Sequence, residues 1–291
     1  MKKDQMVSRR RVLLGGAVVL AVAGQVGLYA VEPTANRGAP HKGAPTPGAP
    51  ARTGAAGPPP RTRQPVRASS YRLQPLTGYG PPRRAPLRTP VRRAPILSLS
   101  GLGRRMVLTF DDGPDPRYTP GILSTLRRHD VRAMFFVCGG MAAANKDLLR
   151  EMADDGHVIG NHTWSHPLLT SLSRSAVRDE IESTSELIEK TVGEPPLWFR
   201  APYGAWNRST FQIGAELGME PLAWTVDTED WTTPGTGTIV TRVIDGAAPG
   251  VVVLSHDAGG DRSQSVAALR RYLPDLLKEG YGITVPRRRR I

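Results

Sequence analysis

The sequence predicts an α/β fold in which a parallel sheet curls into a barrel-like arrangement. From residue 105 onward, short apolar segments rich in β-branched residues alternate with longer amphipathic segments. Strands of a parallel sheet are buried on both faces and read as short apolar runs, and helices connect them. Five of the apolar segments also end in a polar cluster. Seven strands alternating with six helices therefore argue for an α/β barrel-like parallel sheet.

The individual elements follow from this alternation. The predicted strands cover residues 106–110, 133–137, 157–161, 197–200, 222–226, 251–255 and 283–285. The predicted helices cover residues 119–129, 146–155, 173–192, 208–217, 239–247 and 266–279. The third helix has the clearest pattern, because Val177, Ile181 and Ile188 recur near a 3.6-residue spacing with charged residues on the other side.

The charge of the chain is divided unevenly. The formal net charge of the 291 residues is +13, but residues 1–100 hold 17 Lys or Arg and only two acidic residues. Residues 101–286 hold 18 basic and 24 acidic residues. The chain therefore combines a basic N-terminal arm with an acidic domain. The arm has only three aromatic residues, Tyr29, Tyr71 and Tyr79, and we expect it to be exported, so its charge does not indicate a nucleic-acid partner.

The N-terminal arm has two parts. In residues 1–31, Ser8-Arg9-Arg10 precedes an uncharged apolar run over residues 12–31, which resembles a twin-arginine signal that is either cleaved or retained as a membrane anchor. Residues 32–100 contain most of the prolines and predict a disordered linker. Its arginines either contact anionic wall polymers or lipid head groups, or simply stay solvated. We therefore expect an exported protein that is extracellular or associated with the cell wall.

The acidic domain spans residues 101–286, and a basic tail of residues 287–291 follows it. The chemistry of a barrel of this type lies at the carboxyl ends of its strands. The single cysteine, Cys138, excludes a disulfide framework and a cysteine-based zinc site, and we expect it to be buried.

Two of the strand-end clusters predict a metal site. His162 and His166 are four residues apart, so both imidazoles can reach one ion from a tight loop. Asp111 and Asp112 follow the first strand, and one carboxylate could bind the ion while the other accepts a proton. Taken singly, each pair also fits a structural role, as an incidental histidine pair or an acidic turn. The shared barrel edge favours the catalytic interpretation.

The remaining clusters supply further candidates. Arg200 could hold a carboxylate ionised, and a backbone N–H near Tyr203 could donate to an oxyanion. His256 is a candidate general acid that Asp230 could orient. Trp231 and Leu254 offer apolar surface for an acyl group or a sugar face, or belong to the core. These candidates lie in the segments at residues 200–203, 227–231 and 254–256.

These clusters resemble the signature of the polysaccharide deacetylase family (carbohydrate esterase family 4, with a NodB-like domain). The matching segments run in order at residues 109–114, 162–167, 200–203, 227–231 and 254–256. The resemblance implies a distorted (β/α)7 barrel. It also implies roles for the matching residues: Asp111 as base, Arg200 as its partner, Asp112, His162 and His166 as ligands of Zn²⁺, Co²⁺ or another divalent ion, His256 as acid with Asp230, Tyr203 as oxyanion donor, and Trp231 and Leu254 as acetyl-pocket walls.

The resemblance implies a metal-dependent hydrolase that removes acetyl groups from an acetylated extracellular polysaccharide. Export and a long linker favour N-acetylglucosamine units of peptidoglycan or a chitin-like glycan as the substrate. One alternative is an O-acetyl esterase that acts on acetylated xylan, because the same site could cleave an ester. A different class is a non-catalytic cell-wall protein that uses the barrel to bind glycan.

Overall fold

The computed structural model describes residues 89–286. The predicted signal or anchor (residues 1–31), residues 32–88 of the predicted linker and the basic tail (residues 287–291) lie outside the described residues. Within residues 89–286, no helix combines the length and the apolar character needed to cross a bilayer.

The described residues form a curled parallel sheet flanked by helices, which confirms the predicted α/β fold. The strands are β1 (Arg105–Asp111), β2 (Met134–Val137), β3 (Val158–Asn161), β4 (Trp198–Phe199), β5 (Glu220–Pro221), β6 (Val226–Asp227), β7 (Val252–His256) and β8 (Gly282–Ile283). Their order is β5-β4-β3-β2-β1-β7-β6, and β8 pairs with the start of β1. Every ladder between these strands is parallel. Since β5 and β6 end the strand order, the sheet is a half-barrel.

The predicted strand over residues 222–226 was wrong in its extent. The structure has two short strands there, β5 before it and β6 at its end. The carbonyl oxygens of Leu222 and Ala223 accept hydrogen bonds from the buried guanidinium of Arg200, at 3.1 and 3.0 Å. Because these carbonyls serve a side chain, the segment leaves the regular ladder.

The helices lie between the strands in the chain, as predicted. They are α1 (Thr119–Arg128), α2 (Gly139–Ala144), α3 (Lys146–Asp154), α4 (Arg174–Val192), α5 (Arg208–Glu216), α6 (Thr236–Asp245) and α7 (Ser263–Lys278). Helix α4 begins where the Ser173 hydroxyl accepts from the Ala176 N–H, and it ends at Gly193, whose φ is +84°. Both caps satisfy backbone groups that a helix end leaves without partners.

Two faces of the sheet are packed differently, and β1 shows the division. Met106, Leu108 and Phe110 belong to the larger apolar core together with residues of α1 and α7. Val107 belongs to a second cluster with Phe136 and other residues on the concave side. Side chains alternate along a strand, so Asp111 lies on the same side as Val107. The strand therefore directs Asp111 into the half-barrel, away from the helices.

Residues 96–99 correct the predicted boundary at residue 100. The Ile96 N–H donates to the Pro221 carbonyl at 2.9 Å, and the Ala223 N–H donates back to Ile96 at 2.8 Å. The Leu99 N–H donates to the Gly250 carbonyl at 2.9 Å. These residues, here called the strap, hydrogen-bond to both sides of the half-barrel. The last part of the predicted linker is thus part of the folded domain.

Candidate active site

The carboxyl ends of the strands surround one cavity of about 860 Å³. The ten candidate residues all lie at or directly beside it, although they come from five separate segments. Eight of them line the cavity itself: Asp111, Asp112, His162, His166, Tyr203, Trp231, Leu254 and His256. The other two, Arg200 and Asp230, lie behind the lining and contact it. The structure therefore brings together the complete set that sequence reasoning selected.

Asp111 forms a buried ion pair with Arg200. One guanidinium nitrogen lies 2.7 Å from Asp111 Oδ1, and both side chains are almost completely buried. The same nitrogen donates to the Thr109 hydroxyl at 2.8 Å, and the guanidinium lies over the Phe136 ring at 4.1 Å. Burial lowers the pKa of Arg200, while the neighbouring Asp111 opposes that shift. Because the guanidinium stays protonated over the working range, it gives Asp111 a fixed cationic partner.

Asp112, His162 and His166 offer three ligand atoms to one point. Asp112 Oδ1 lies 3.5 Å from His162 Nε2 and 3.4 Å from His166 Nε2, and the three ligand atoms lie within 4.8 Å of one another. Asp112 Oδ1 is buried and has no hydrogen-bond partner among residues 89–286. A buried carboxylate oxygen without a donor is costly unless something positive faces it. The residues therefore fit a divalent cation.

One hydrogen bond selects the tautomer of the neutral His162 ring. Its Nδ1 lies 2.7 Å from the Arg200 carbonyl oxygen. A carbonyl can only accept, so Nδ1 carries the proton and the Nε2 lone pair faces Asp112. This orientation by a second hydrogen bond is typical of a metal-binding imidazole.

Asp112 and His166 have perturbed pKa values for different reasons. Burial alone would raise the pKa of Asp112, but the neighbouring His162, His256 and His166 lower it to about 2. Burial lowers the pKa of His166, and the neighbouring His162 adds to that effect. The site therefore presents an ionised carboxylate and, at neutral pH, a neutral His166, which are the forms that bind metal.

The loop after β3 is held in an unusual conformation. Thr163 and His166 have positive φ angles of 70° and 60° although neither is glycine. The Asn161 side chain accepts from the Thr163 N–H at 2.8 Å. Glu180 on α4 accepts from the N–H groups of Trp164 and Ser165, both at 2.8 Å. These bonds hold a conformation that few side chains adopt readily, and they point both imidazoles at Asp112.

His256 and Asp230 form a second buried pair, at the end of β7. His256 Nδ1 lies 2.6 Å from Asp230 Oδ1, and the His256 N–H donates to Asp230 Oδ2 at 2.9 Å. The Ser265 hydroxyl also donates to Asp230 Oδ2, at 2.5 Å. Burial would lower the pKa of His256, but the bond to Asp230 outweighs it and raises the pKa to about 9. At neutral pH, His256 is therefore an imidazolium whose Nδ1 proton is committed to Asp230.

The walls of the cavity are largely aromatic. Trp231 and Tyr203 are 58% and 67% exposed, so much of each side chain is open to a ligand. Leu254 is buried between them and the sheet. Tyr203 has a φ of 60°, and its ring packs edge-on against His166 at 4.7 Å between centroids. Tyr203 thus joins the cavity wall to the predicted metal site.

Comparisons with known proteins identify the family of this chain. The family model described as polysaccharide deacetylase matches residues 100–222. The chain is 42% identical over 178 residues to a peptidoglycan-N-acetylglucosamine deacetylase from Bacillus cereus, covering 60% of this chain and 83% of that protein. The chain belongs to the polysaccharide deacetylase family.

Further members support the assignment. This polysaccharide deacetylase is 37% identical over 191 residues to a chitooligosaccharide deacetylase from Rhizobium leguminosarum, covering 62% of this chain and 89% of that protein. It also superposes with a TM-score of 0.63 on a solved peptidoglycan N-acetylglucosamine deacetylase in complex with 4-naphthalen-1-yl-N-oxidanyl-benzamide. That match has 36% identity and covers 66% of this chain and 90% of the other. The resemblance drawn from the motifs is confirmed.

Sequence reasoning missed three residues at the polysaccharide deacetylase site. Asp257 is fully buried behind the first strand-end loop, where it accepts from the Gly113 N–H at 3.0 Å and the Thr119 hydroxyl at 2.6 Å. Burial raises the pKa of Asp257 to about 7. Trp224 lines the cavity and stacks near Gly204, and Arg262 lines it while donating to backbone carbonyls. Asp257 directly follows His256 in the chain, which was its only sequence signal.

Cys138 is buried, as predicted, but its surroundings differ from an ordinary core position. It lies at the start of α2 and lines the cavity. Burial raises the pKa of its thiol, so the group stays protonated and unreactive. Cys138 therefore contributes shape to the cavity floor.

Proposed function

We propose that this chain hydrolyses acetyl groups from N-acetylglucosamine units of an extracellular glycan with the help of a divalent cation. One observation carries the proposal. The convergent atoms of Asp112, His162 and His166 share a cavity with the Asp111 carboxylate, which is paired to Arg200, and with the His256 ring, which is paired to Asp230. Amide hydrolysis needs a proton acceptor, a proton donor and an electrophile close together, and this cavity supplies places for all three.

Asp112, His162 and His166 would hold the cation, and a set of one carboxylate and two imidazoles suits Zn²⁺ or Co²⁺. When bound, such an ion polarises an acetyl carbonyl and lowers the pKa of a bound water to about 7. A set of three protein ligands leaves coordination positions for water and substrate. We expect zinc to be the resident metal.

The protein's own groups then carry the protons. Asp111 accepts the proton of the attacking water, and Arg200 holds that carboxylate in position through its hydrogen bond to Oδ1. His256 donates its Nε2 proton to the departing sugar nitrogen, because its Nδ1 proton is held by Asp230. The C–N bond of the amide breaks, water's oxygen ends in acetate, and the sugar keeps a free amine. The base and the acid come from neighbouring strands, since Asp111 on β1 and His256 on β7 are register partners.

Three residues would complete the site. The backbone N–H of Tyr203 would donate to the oxyanion that develops on the acetyl oxygen. Trp231 and Leu254 would enclose the acetyl methyl group, since a pocket that excludes water favours an apolar substituent. We expect this enclosure to disfavour longer acyl groups.

The substrate class rests on the named relatives and on the N-terminal arm. Relatives at 42% and 37% identity are named as deacetylases of peptidoglycan N-acetylglucosamine and of chitooligosaccharides. The twin-arginine-like segment favours export, and the Arg-rich linker favours contact with anionic wall polymers or membrane lipids. A fractionation experiment tests export. Replacing Arg9 and Arg10 by Lys should retain the protein in the cytoplasm, whereas Arg11→Lys should leave its location unchanged.

Acetate release by the full chain tests the activity. The panel contains N-acetylglucosamine oligomers, peptidoglycan and acetylated xylan, each with and without a chelator. We expect release from the first two substrates, loss of release with chelator, and recovery after Zn²⁺ is added back. Release from xylan alone would replace the proposed function with O-acetyl ester hydrolysis. Glycan binding without any release would indicate a non-catalytic protein.

Two substitutions separate the proposed roles. Asp111→Asn keeps an oxygen for Arg200 but removes the proton acceptor, so turnover should fall by at least 10²-fold while metal content stays unchanged. His162→Ala should lose the metal, which elemental analysis measures directly. His129→Ala is the matched control, because His129 is the residue that ends α1 and does not line the cavity. Near-normal acetate release by Asp111→Asn would contradict its role as base.

A further inference from the structure

Trp164 is an aromatic residue of the cavity that the proposed reaction does not use. It lies in the loop after β3, between His162 and His166 in the chain, and its side chain lines the cavity. About a third of it, 36%, is exposed. A large, partly exposed apolar side chain beside a reaction centre is a candidate ligand surface.

The indole of Trp164 is held rigidly by the residues beneath it. It packs directly on Gly139, where an added Cβ would lie only 2.4 Å from Trp164 Cε3. The Gly140 N–H donates to the Trp164 carbonyl at 3.0 Å, and Glu180 accepts from the Trp164 N–H at 2.8 Å. The glycines at the start of α2 therefore leave room for the ring. A surface fixed before binding loses little conformational entropy when a ligand arrives.

The strand order places Trp164 and Trp231 on opposite sides of the reaction centre. Trp164 follows β3, Trp231 follows β6, and β1 with Asp111 and Asp112 lies between them in the sheet. If the acetylated sugar lies over Asp112 with its acetyl group against Trp231, Trp164 is on the other side of that sugar. A continuous glycan has its next unit there.

We propose that Trp164 forms a second sugar-binding subsite, on which the unit next to the acetylated sugar stacks. The inference rests on the proposed function, since it assigns to that function a preference for chains over single sugars. A sugar ring presents a face of C–H groups, and an indole offers a flat apolar surface that matches it. The polar rim of the sugar stays in water at the open side of the cavity. The subsite makes the enzyme sensitive to the length of its substrate.

The test compares kcat/KM across N-acetylglucosamine oligomers of increasing length, using the full chain loaded with Zn²⁺. For Trp164→Ala, we expect kcat/KM on the pentamer to fall about fivefold to tenfold relative to the unchanged protein. On the shortest oligomer that reacts, it should stay within about twofold. Trp164→Phe keeps an aromatic face and should recover most of the loss. Leu168→Ala is the matched control, because Leu168 is exposed in the same loop but does not line the cavity.

Several outcomes would overturn the subsite. An equal loss of kcat/KM at every oligomer length would indicate that Trp164 contacts the reacting sugar or supports the metal-binding loop. An unchanged kcat/KM at every length would show that Trp164 does not bind the substrate. Zinc content is measured for each variant, and Trp164→Phe decides the matter if Trp164→Ala loses zinc. If the unchanged protein releases no acetate, the proposed function fails. Calorimetric binding of the pentamer then tests the subsite separately: weaker binding by Trp164→Ala supports it, and equal binding overturns it.

Discussion

Removing the negative charge of Asp230 should lower the pKa of His256 and move the basic limb of the activity profile. Asp230→Asn keeps the shape of the side chain, and its amide oxygen can still accept from His256 Nδ1. It loses the charge that stabilises the imidazolium. Burial, which favours the neutral ring, is then opposed only by the charges of Asp111 and Asp112, so we expect the pKa of His256 to fall from about 9 toward its ordinary value of 6.5.

The size of the effect follows from the two pKa values. The difference between about 9 in the folded protein and the reference value of 6.5 corresponds to about 3 kcal/mol of stabilisation of the protonated ring. At pH 8, about nine in ten molecules of the unchanged protein carry the proton on His256, against about three in a hundred for a pKa of 6.5. At that pH, the protonated fraction of His256 should therefore be about thirtyfold smaller in the variant than in the unchanged protein.

Two measurements check this prediction. The basic limb of the kcat/KM profile of the zinc-loaded enzyme should lie at a lower pH in Asp230→Asn than in the unchanged protein. An NMR titration of the His256 ring is made on metal-depleted protein, because a bound cation would itself lower the pKa by repulsion. Asp261→Asn is the control, since Asp261 is exposed and bonds to the Ser263 N–H. A basic limb at the same pH in both proteins, or a His256 pKa that stays near 9 in metal-depleted Asp230→Asn, would refute the reasoning.

Further predictions concern stability and the metal site. The raised pKa of His256 contributes stability that is fully present below pH 6.5 and is lost as the pH rises through about 9. Denaturant titrations should therefore show the free energy of unfolding falling by about 3 kcal/mol over that pH window. The fall should be much smaller in Asp230→Asn. Gly259→Ala should weaken zinc binding at least tenfold in a calorimetric titration, because the added Cβ would lie 2.4 Å from Asp112 Oδ2. Gly218→Ala is the control and should leave zinc binding unchanged, since Gly218 has a similar φ and no atom within 4 Å of the added Cβ. Asp257→Ala should lower the midpoint of thermal unfolding, since it leaves buried donors without an acceptor at a cost of about 1–3 kcal/mol; an unchanged midpoint would contradict that role.

Most of the fold could be predicted because its signals are local. Helix α4 shows its periodicity, its serine cap and its terminal glycine within twenty or so consecutive residues. Helix α2 was missed because its sequence begins with two glycines, and its N-terminal backbone groups bond to the loop after β3 instead of to a local cap. The strand predicted over residues 222–226 was wrong for a similar reason. The guanidinium of Arg200, which is distant in the chain, donates hydrogen bonds to two carbonyl groups of this segment.

The candidate site also contains residues with a local sequence signal and residues without one. Adjacent aspartates at a strand end and histidines four apart are visible in the sequence, and the structure places Asp111, Asp112, His162 and His166 together. Asp257 and Trp224 have no such spacing, because their positions at the cavity come only from strand order and helix packing. Residues that act by supporting others are therefore the harder part to predict, since each depends on contacts the chain makes far away.

The strap has a consequence for anyone who shortens this protein. Strand β5 is an edge of the half-barrel, and the strap satisfies the Pro221 carbonyl and the Ala223 N–H beside that edge. Unpaired backbone groups on a sheet edge invite pairing with another molecule. A recombinant domain that begins at residue 101 would uncover those groups together with the apolar surface under Ile96 and Leu99. We therefore expect a domain that starts at residue 101 to self-associate, while one that starts at residue 89 keeps its edge covered.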